Sequence, residues 1–125
     1  MAGGNYRDLI AWKKGIAFVL AVYAATRPWP KEEQYGLTNQ VRRAAVSVPS
    51  NIAEGQGRAS DNEFHRFLGI ALGSLCEVET QLAIGHELGY VDKQTLSRLD
   101  QQAAEVGRLI NGLMRSLRPQ SPSPN

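Results

Sequence analysis

Ser47, Asn51, Glu54 and Arg58 follow one another at spacings of four, three and four residues. In a helix that places a hydroxyl, a carboxamide, a carboxylate and a guanidinium on one stripe. Such a row can recognise a polar partner, or it can satisfy backbone groups that the helix leaves open. Pro49 creates the second need. It has no N–H to offer the carbonyl of Ala45, and its ring clashes there, at a cost of roughly 3 kcal/mol in a helix interior. The pattern predicts a helix kinked at Pro49, with Ser47, Ser50 and Asn51 serving the freed carbonyls. Glu54 and Arg58 stand in the favourable acid-first order, worth about 0.2–0.5 kcal/mol as an exposed pair. Gly55 and Gly57 are expected to stop the helix. Kink repair and a polar recognition groove are both open readings of this stripe.

A second group lies further along, at Gly73, Ser74 and Glu77. If the two segments are antiparallel about a turn near Gly57 to Ala59, Arg43 stands level with Ser74, and Glu77 lies one turn beyond. An ion pair from Arg42 or Arg43 to Glu77 is expected across this hairpin. Gly73 and Ser74 are small enough to admit another backbone. The cations in the first half suggest phosphate contacts: Arg7, Lys13, Lys14, Arg42, Arg43 and Arg58. Residues 1–58 carry eight Lys/Arg against four Asp/Glu, and residues 59–125 carry six against eight. The whole chain is only +2, too little to announce nucleic-acid binding and without sign of DNA specificity.

Other chemistries find no support. Neither Glu-x-x-His nor His-Glu-x-x-His occurs, so helix-borne metal sites are not indicated. His65 and His86 share one helical segment some 31 Å apart, too far for a common ion. Cys76 is the lone cysteine, with no neighbouring base in sequence, and reads as a small buried hydrophobe. Gly55-Gln56-Gly57-Arg58 lacks the third glycine and the strand of a dinucleotide site. No catalytic residue, metal or cofactor is expected. The longest weakly polar run, Gly15 to Ala25, is too short to cross a bilayer, and no signal peptide is evident. A cytoplasmic protein without membrane partners is expected.

Four helical segments must position these groups. The first runs from about Arg7 to Thr26, with Leu9, Trp12, Ile16, Leu20 and Tyr23 as one apolar stripe. Phe18, Val19 and Val22 carry apolar character round the other side, so this helix needs more than one partner, plausibly another subunit. Lys31 to Tyr35 reads as a short turn after Pro30. The second helix spans about Leu37 to Gly55, with Leu37, Val41, Ala44, Val48 and Ile52 inward. Ser60 and Glu63 form a capping box for the third, which runs to about Leu88 before Gly89. Asp92 caps the fourth. There Leu96, Leu99, Ala103, Val106, Ile110, Leu113 and Leu117 alternate spacings of three and four, a heptad seam. The fold class is all-α, an antiparallel up-down-up-down four-helix bundle over residues 7–118. Residues 1–6 read as a flexible N-terminus, and residues 119–125 as a disordered Pro/Ser tail.

These residues together resemble a known family, the proteins encoded by intervening sequences in bacterial 23S rRNA genes, with related accessory proteins of diversity-generating retroelements. The resemblance covers about Tyr6 to Leu117. It rests on Leu9-x-x-Trp12, Tyr23, Trp29-Pro30-x-x-Glu33, Tyr35-Gly36-Leu37-Thr38, Gln40-x-Arg42-Arg43-Ala44 and Ser47-Val48-Pro49-Ser50-Asn51-Ile52-Ala53-Glu54-Gly55. It continues with Arg58, Glu63-Phe64, Phe67-Leu68, Gly73-Ser74-x-x-Glu77 and Leu88-Gly89-Tyr90. Trp29 stands where the family usually has Phe. The resemblance implies a left-handed bundle that assembles into a homopentamer, has no established enzymatic activity, and binds a macromolecule such as RNA or an RNA-associated protein. A protein–protein module without a nucleic-acid role is the alternative. A small-molecule or enzyme site at a subunit interface, around Asn51, Glu54 and Glu77, is a third.

Overall fold

A computed structural model describes residues 4–117. Among them are four α-helices and no strand: α1 (Ile10–Thr26), α2 (Leu37–Gln56), α3 (Asp61–Glu87) and α4 (Lys93–Ser116), with 3-10 turns at Tyr6–Asp8 and Lys31–Glu33. The expected Pro/Ser tail, 119–125, lies outside the described residues. Asn5 and Tyr6 belong to the folded part: the Asn5 side chain accepts from the Arg7 amide at 2.9 Å, and the Tyr6 ring packs edge-on against Trp12.

Each helix touches its two neighbours in the order α1, α2, α3, α4 and back to α1, with no diagonal packing. Short connections force neighbours to run antiparallel, and specific contacts fix the register. Gly15 of α1 meets Pro49 of α2, Ser47 of α2 meets Ser74 of α3, and Gly107 of α4 meets Leu75 of α3. The ends follow their caps. Ser60 Oγ accepts from the Glu63 amide at 3.1 Å, and Asp92 Oδ1 from the Thr95 amide at 2.7 Å. Glu63 does not complete a reciprocal box; its carboxylate turns to Arg66 instead. Gly89 ends the α3 connection at φ +84°, a conformation that only glycine adopts cheaply.

The core runs the length of the bundle through Phe18, Val22, Val41, Val48, Ile52, Leu68, Leu82, Val106 and Ile110. On α2 and α4 the inward faces are as the spacing predicts. On α1 they are not. Ala11, Gly15, Phe18, Val22 and Thr26 are buried, whereas Leu20 and Tyr23 of the expected stripe are exposed. A helix that is apolar nearly all round carries no phase signal. Its small residues then select the close-packed face, because they let a neighbouring backbone approach. Cys76 also corrects the sequence reading: it is exposed. Among the described residues α3 is the one helix long and apolar enough to cross a membrane, and 44% of its most apolar stretch is buried in the bundle.

Candidate functional site

The polar stripe of α2 comes together as expected, but it works mainly within the chain. Asn51 Nδ2 donates to the Ser47 carbonyl and to Ser47 Oγ, both at 2.8 Å. Ser47 Oγ and Ser74 Oγ lie 2.9 Å apart and share a hydroxyl proton across the α2–α3 seam. The carbonyl that Asn51 reaches is therefore not the Ala45 carbonyl freed by Pro49. The helix continues through Pro49, whose ring is buried against α1. A Cβ built on Gly15 would stand 3.3 Å from Pro49 Cβ, so the glycine is what seats the proline.

The expected pair from Arg42 or Arg43 to Glu77 does not form; Glu77 has no ion pair among the described residues. The α2–α3 connection lies at Gly57–Ser60, as expected, but Ser47 rather than Arg43 stands level with Ser74. That register brings Arg43 near the height of Glu77, so the cause is the face each side chain takes: Arg42 faces the other neighbour. Its Nε donates to Thr26 Oγ1 at 2.8 Å, Nη2 donates to the Tyr23 carbonyl at 3.4 Å, and the guanidinium lies 4.6 Å from the Tyr23 ring centroid. Equal height on a helix pair fixes the level of a residue but not its face.

Gly55 lies inside α2 rather than ending it. A Cβ there would stand 2.5 Å from Phe67 Cβ, so α2 and α3 approach too closely here for any side chain. Gly57 caps the helix with an ordinary negative φ of −81°. Beyond it, Arg58 pairs with Glu54 at 2.6 Å, and Arg66 with Glu63 at 3.2 Å. Both guanidiniums lie within 5 Å of the Phe67 ring centroid. The hydrogen bond from Arg66 holds the Glu63 carboxyl below its ordinary value. Gly73, by contrast, has open space where a side chain would be, so within one chain no backbone exploits it.

The six cations proposed as phosphate contacts do not form one surface. Arg7 and Arg58 lie at the bundle end that holds the α2–α3 turn. Arg42 is some 24 Å along the bundle from Arg58, counted at the helical rise, and is committed to Thr26 and Tyr23. Lys14 reaches Glu105 of α4 at 3.8 Å. Lys13 and Arg43 are exposed and make no ion pair among the described residues.

At the opposite end, one carboxylate ties two connections together. Glu33 Oε1 accepts from the Leu37 amide at 3.0 Å, supplying α2 with a cap from outside the helix, and Glu33 Oε2 accepts from the Tyr90 hydroxyl at 2.9 Å. That bond raises the Tyr90 phenol above its ordinary value. Trp29 stacks obliquely on Tyr90, 5.5 Å between centroids, and presses its six-membered ring onto Gly85. The Val91 carbonyl can only accept, so His86 Nδ1, 2.8 Å away, carries the proton.

One surface was not foreseen in detail. Between the second half of α1 and the first half of α4 runs a groove of about 880 Å³, floored by Ala21, Ala25 and Leu99 and walled by Arg98, Gln102 and Glu105. Outside the groove's lining, α1 exposes two large aliphatic side chains, Leu20 (65%) and, at its start, Ile10 (61%). The cue in sequence was the run Ala21-x-x-Ala24-Ala25, small residues on a helix with no polar face.

The family model described as 23S rRNA-intervening sequence protein matches residues 7–112. The chain belongs to that family. A search of curated proteins finds no match. Among solved structures, a protein of unknown function from the S23 ribosomal protein family of Bacteroides thetaiotaomicron is similar at 20% identity. It covers 85% of this chain and 99% of its own, with a TM-score of 0.76. At that identity the likeness speaks for the fold. The motifs noted in the sequence now have places in this 23S rRNA-intervening sequence protein. Trp29, Glu33, Gly36 and Tyr90 form the clasp at one end. Ser47, Asn51 and Ser74 bridge the α2–α3 seam, and Arg58 with Glu63 and Phe67 closes the turn.

Proposed function

We propose that this chain is a non-enzymatic scaffold that associates with copies of itself, as a homopentamer in the family's manner, through the outer face of α1. The carrying observation is the exposed Leu20 of α1 together with Ala21 and Ala24, which line the α1–α4 groove. Isolated apolar residues are normal on any protein, but an apolar helix face beside an 880 Å³ groove is a contact surface. The assembled scaffold, a cytoplasmic one in this reading, presents its polar faces to a macromolecule, with structured RNA as the first partner to test. Of the six expected contacts, Arg7, Lys13 and Arg43 make no ion pair among the described residues and would meet phosphate.

Native mass spectrometry and light scattering at micromolar protein test the assembly. A defined oligomer that Leu20→Glu reduces to folded monomer is the expected result; a wild-type chain that stays monomeric at 100-fold higher concentration refutes it. Binding to structured RNA should weaken steeply between low and physiological salt, through release of counterions. Assembled protein that shifts no RNA at low salt turns the reading to the second one, a protein–protein module. The observation favouring that alternative is the same groove, long enough along α4 to accept a helix of another protein.

A further inference from the structure

A pentameric ring cannot be built from a face that meets its own copy. A contact of that two-fold kind closes at a dimer, whereas every contact in a five-fold ring joins two different faces. The α1 face therefore needs a second, different surface on the next copy. The helix order α1, α2, α3, α4 and back to α1 puts α3 diagonally across the bundle from α1, so α3 carries the far side.

The two outer faces match in period and in charge. Along α1 and its cap, Ile10, Lys13, Ala17, Leu20, Ala24 and Arg27 are exposed, at spacings of three, four, three, four and three. Along α3, Ile70, Gly73, Glu77, Thr80, Ile84 and Glu87 are exposed at the same spacings. Each is a seam about 26 Å long, of the heptad kind that packs helices nearly parallel. From Ile10 to Arg27 there are three cations and no carboxylate, and from Gly73 to Leu88 three glutamates and no lysine or arginine. Lys14 is committed to Glu105, whereas Lys13, Arg27, Glu77 and Glu87 make no ion pair among the described residues.

Within the bundle α1 and α3 run in the same direction, each antiparallel to α2. They also run parallel between neighbours in a ring whose axis lies along the bundles. With Arg27 set opposite Glu87, Ala24 falls opposite Ile84, Leu20 opposite Thr80, Ala17 opposite Glu77 and Lys13 opposite Gly73. At each of the last four levels a large side chain meets a small one, and Lys13 comes within one turn of Glu77. The open space at Gly73 then takes the apolar stem of Lys13.

We infer that the outer face of α3, from Ile70 to Glu87, is the surface on which α1 of a second copy of this chain docks. The contact rests on the association proposed for α1 and supplies its other half.

Mixing two variants tests it. Leu20→Glu spoils the α1 face and leaves α3 intact, and Ile84→Arg does the reverse. Both residues are exposed, so each chain should keep its helical content by circular dichroism. Each alone should be monomeric by native mass spectrometry. Their equimolar mixture should give a one-to-one dimer that grows no further, because one sound contact remains and both outward faces are spoilt. Ile84→Arg that assembles like wild type while Leu20→Glu stays monomeric overturns the α3 contact and leaves the α1 reading standing. Leu20→Glu that assembles like wild type overturns both. Should Ile84→Arg not fold, cross-linking decides. In a Cys76→Ser background, oxidation of a chain carrying both Ala17→Cys and Glu77→Cys should give a ladder of covalent oligomers, and either substitution alone should give none. Dimers from Ala17→Cys alone would place α1 on α1 and overturn the inference.

Discussion

Two glycines on the α2–α3 hairpin should respond to alanine with opposite signs. At Gly55 an added Cβ would lie 2.5 Å from Phe67 Cβ, 3.1 Å from Phe64 Cδ1 and 3.3 Å from the Phe64 carbonyl oxygen. Carbon atoms in contact rest at about 3.5–4.0 Å. The Phe67 Cβ is fixed to its backbone, so relief requires α2 and α3 to separate by roughly 1 Å against the packing of the whole seam. Overpacking of this kind costs about 1–3 kcal/mol, and the upper part applies where the clash is with backbone-anchored atoms. Alanine returns about 0.8–1.0 kcal/mol in helix propensity. Gly55→Ala should therefore be destabilised by roughly 1–2 kcal/mol. At Gly73 nothing lies within 4 Å of the added carbon, so propensity acts alone and Gly73→Ala should gain about 0.5–1 kcal/mol. The assay is urea unfolding followed by circular dichroism at one fixed protein concentration, since association would add its own stabilisation. Midpoints should move in opposite directions with unchanged slopes. A Gly55→Ala chain as stable as wild type would refute the claim that this glycine sets the helix separation. A destabilised Gly73→Ala would show that another chain uses that open space.

Asn51→Ala should cost about 1 kcal/mol through loss of the bonds to Ser47, while Ser74→Ala leaves the Asn51–Ser47 bonds in place and costs less; equal losses in a double-mutant cycle would contradict that order. Glu79 is raised above its ordinary value by burial and then by the neighbouring Asp100. Its contribution to stability is therefore full below the ordinary carboxyl value and fades as pH rises through the raised one. Urea midpoints at pH 5 and pH 7 should differ less in Glu79→Gln than in wild type, and an unchanged difference would refute it. Tyr90 is raised by its bond to Glu33, so alkaline stability should fall as pH climbs past the raised phenol value, and Tyr90→Phe should lose that part of the fall. Leu20→Glu should dissociate the assembly while the monomer keeps its helical content by circular dichroism.

Helix number, order and caps were legible because they depend on local chemistry. Ser60, Asp92 and Gly89 act where they stand, and the heptad seam from Leu96 to Leu117 needs only a period. What failed needed a second helix to be known. The face of α1 could not be phased from residues that are apolar on all sides. The buried side was chosen by Ala11 and Gly15, which score poorly as hydrophobes and well as contact points. The Arg42–Glu77 pair failed because height along a hairpin does not fix a side chain's face: Arg42 points to α1 and bonds Thr26. Cys76 was misjudged for a similar reason: an apolar run in α3 covers more of the helix than the bundle can bury.

The motif around Pro49 looked most like a site because it broke helix rules, and the structure assigns most of that breakage to packing. Pro49 takes its place against Gly15, Gly55 against Phe67, and Asn51 against Ser47. Residues spent on such contacts have little left to offer a partner. What the bundle leaves unspent is elsewhere: the outer face of α1, the groove beside it, and Lys13, Arg43 and Glu77, which make no ion pair among the described residues. A helix with apolar residues on every side is costly to leave half in water, at about 25 cal/mol for each Å² of apolar surface kept exposed. Within one chain α1 packs on α2, on α4 and on the 3-10 turn before it, and its Ile10 and Leu20 stay exposed. The association proposed above is therefore to be sought on α1 rather than on the motif that first drew attention.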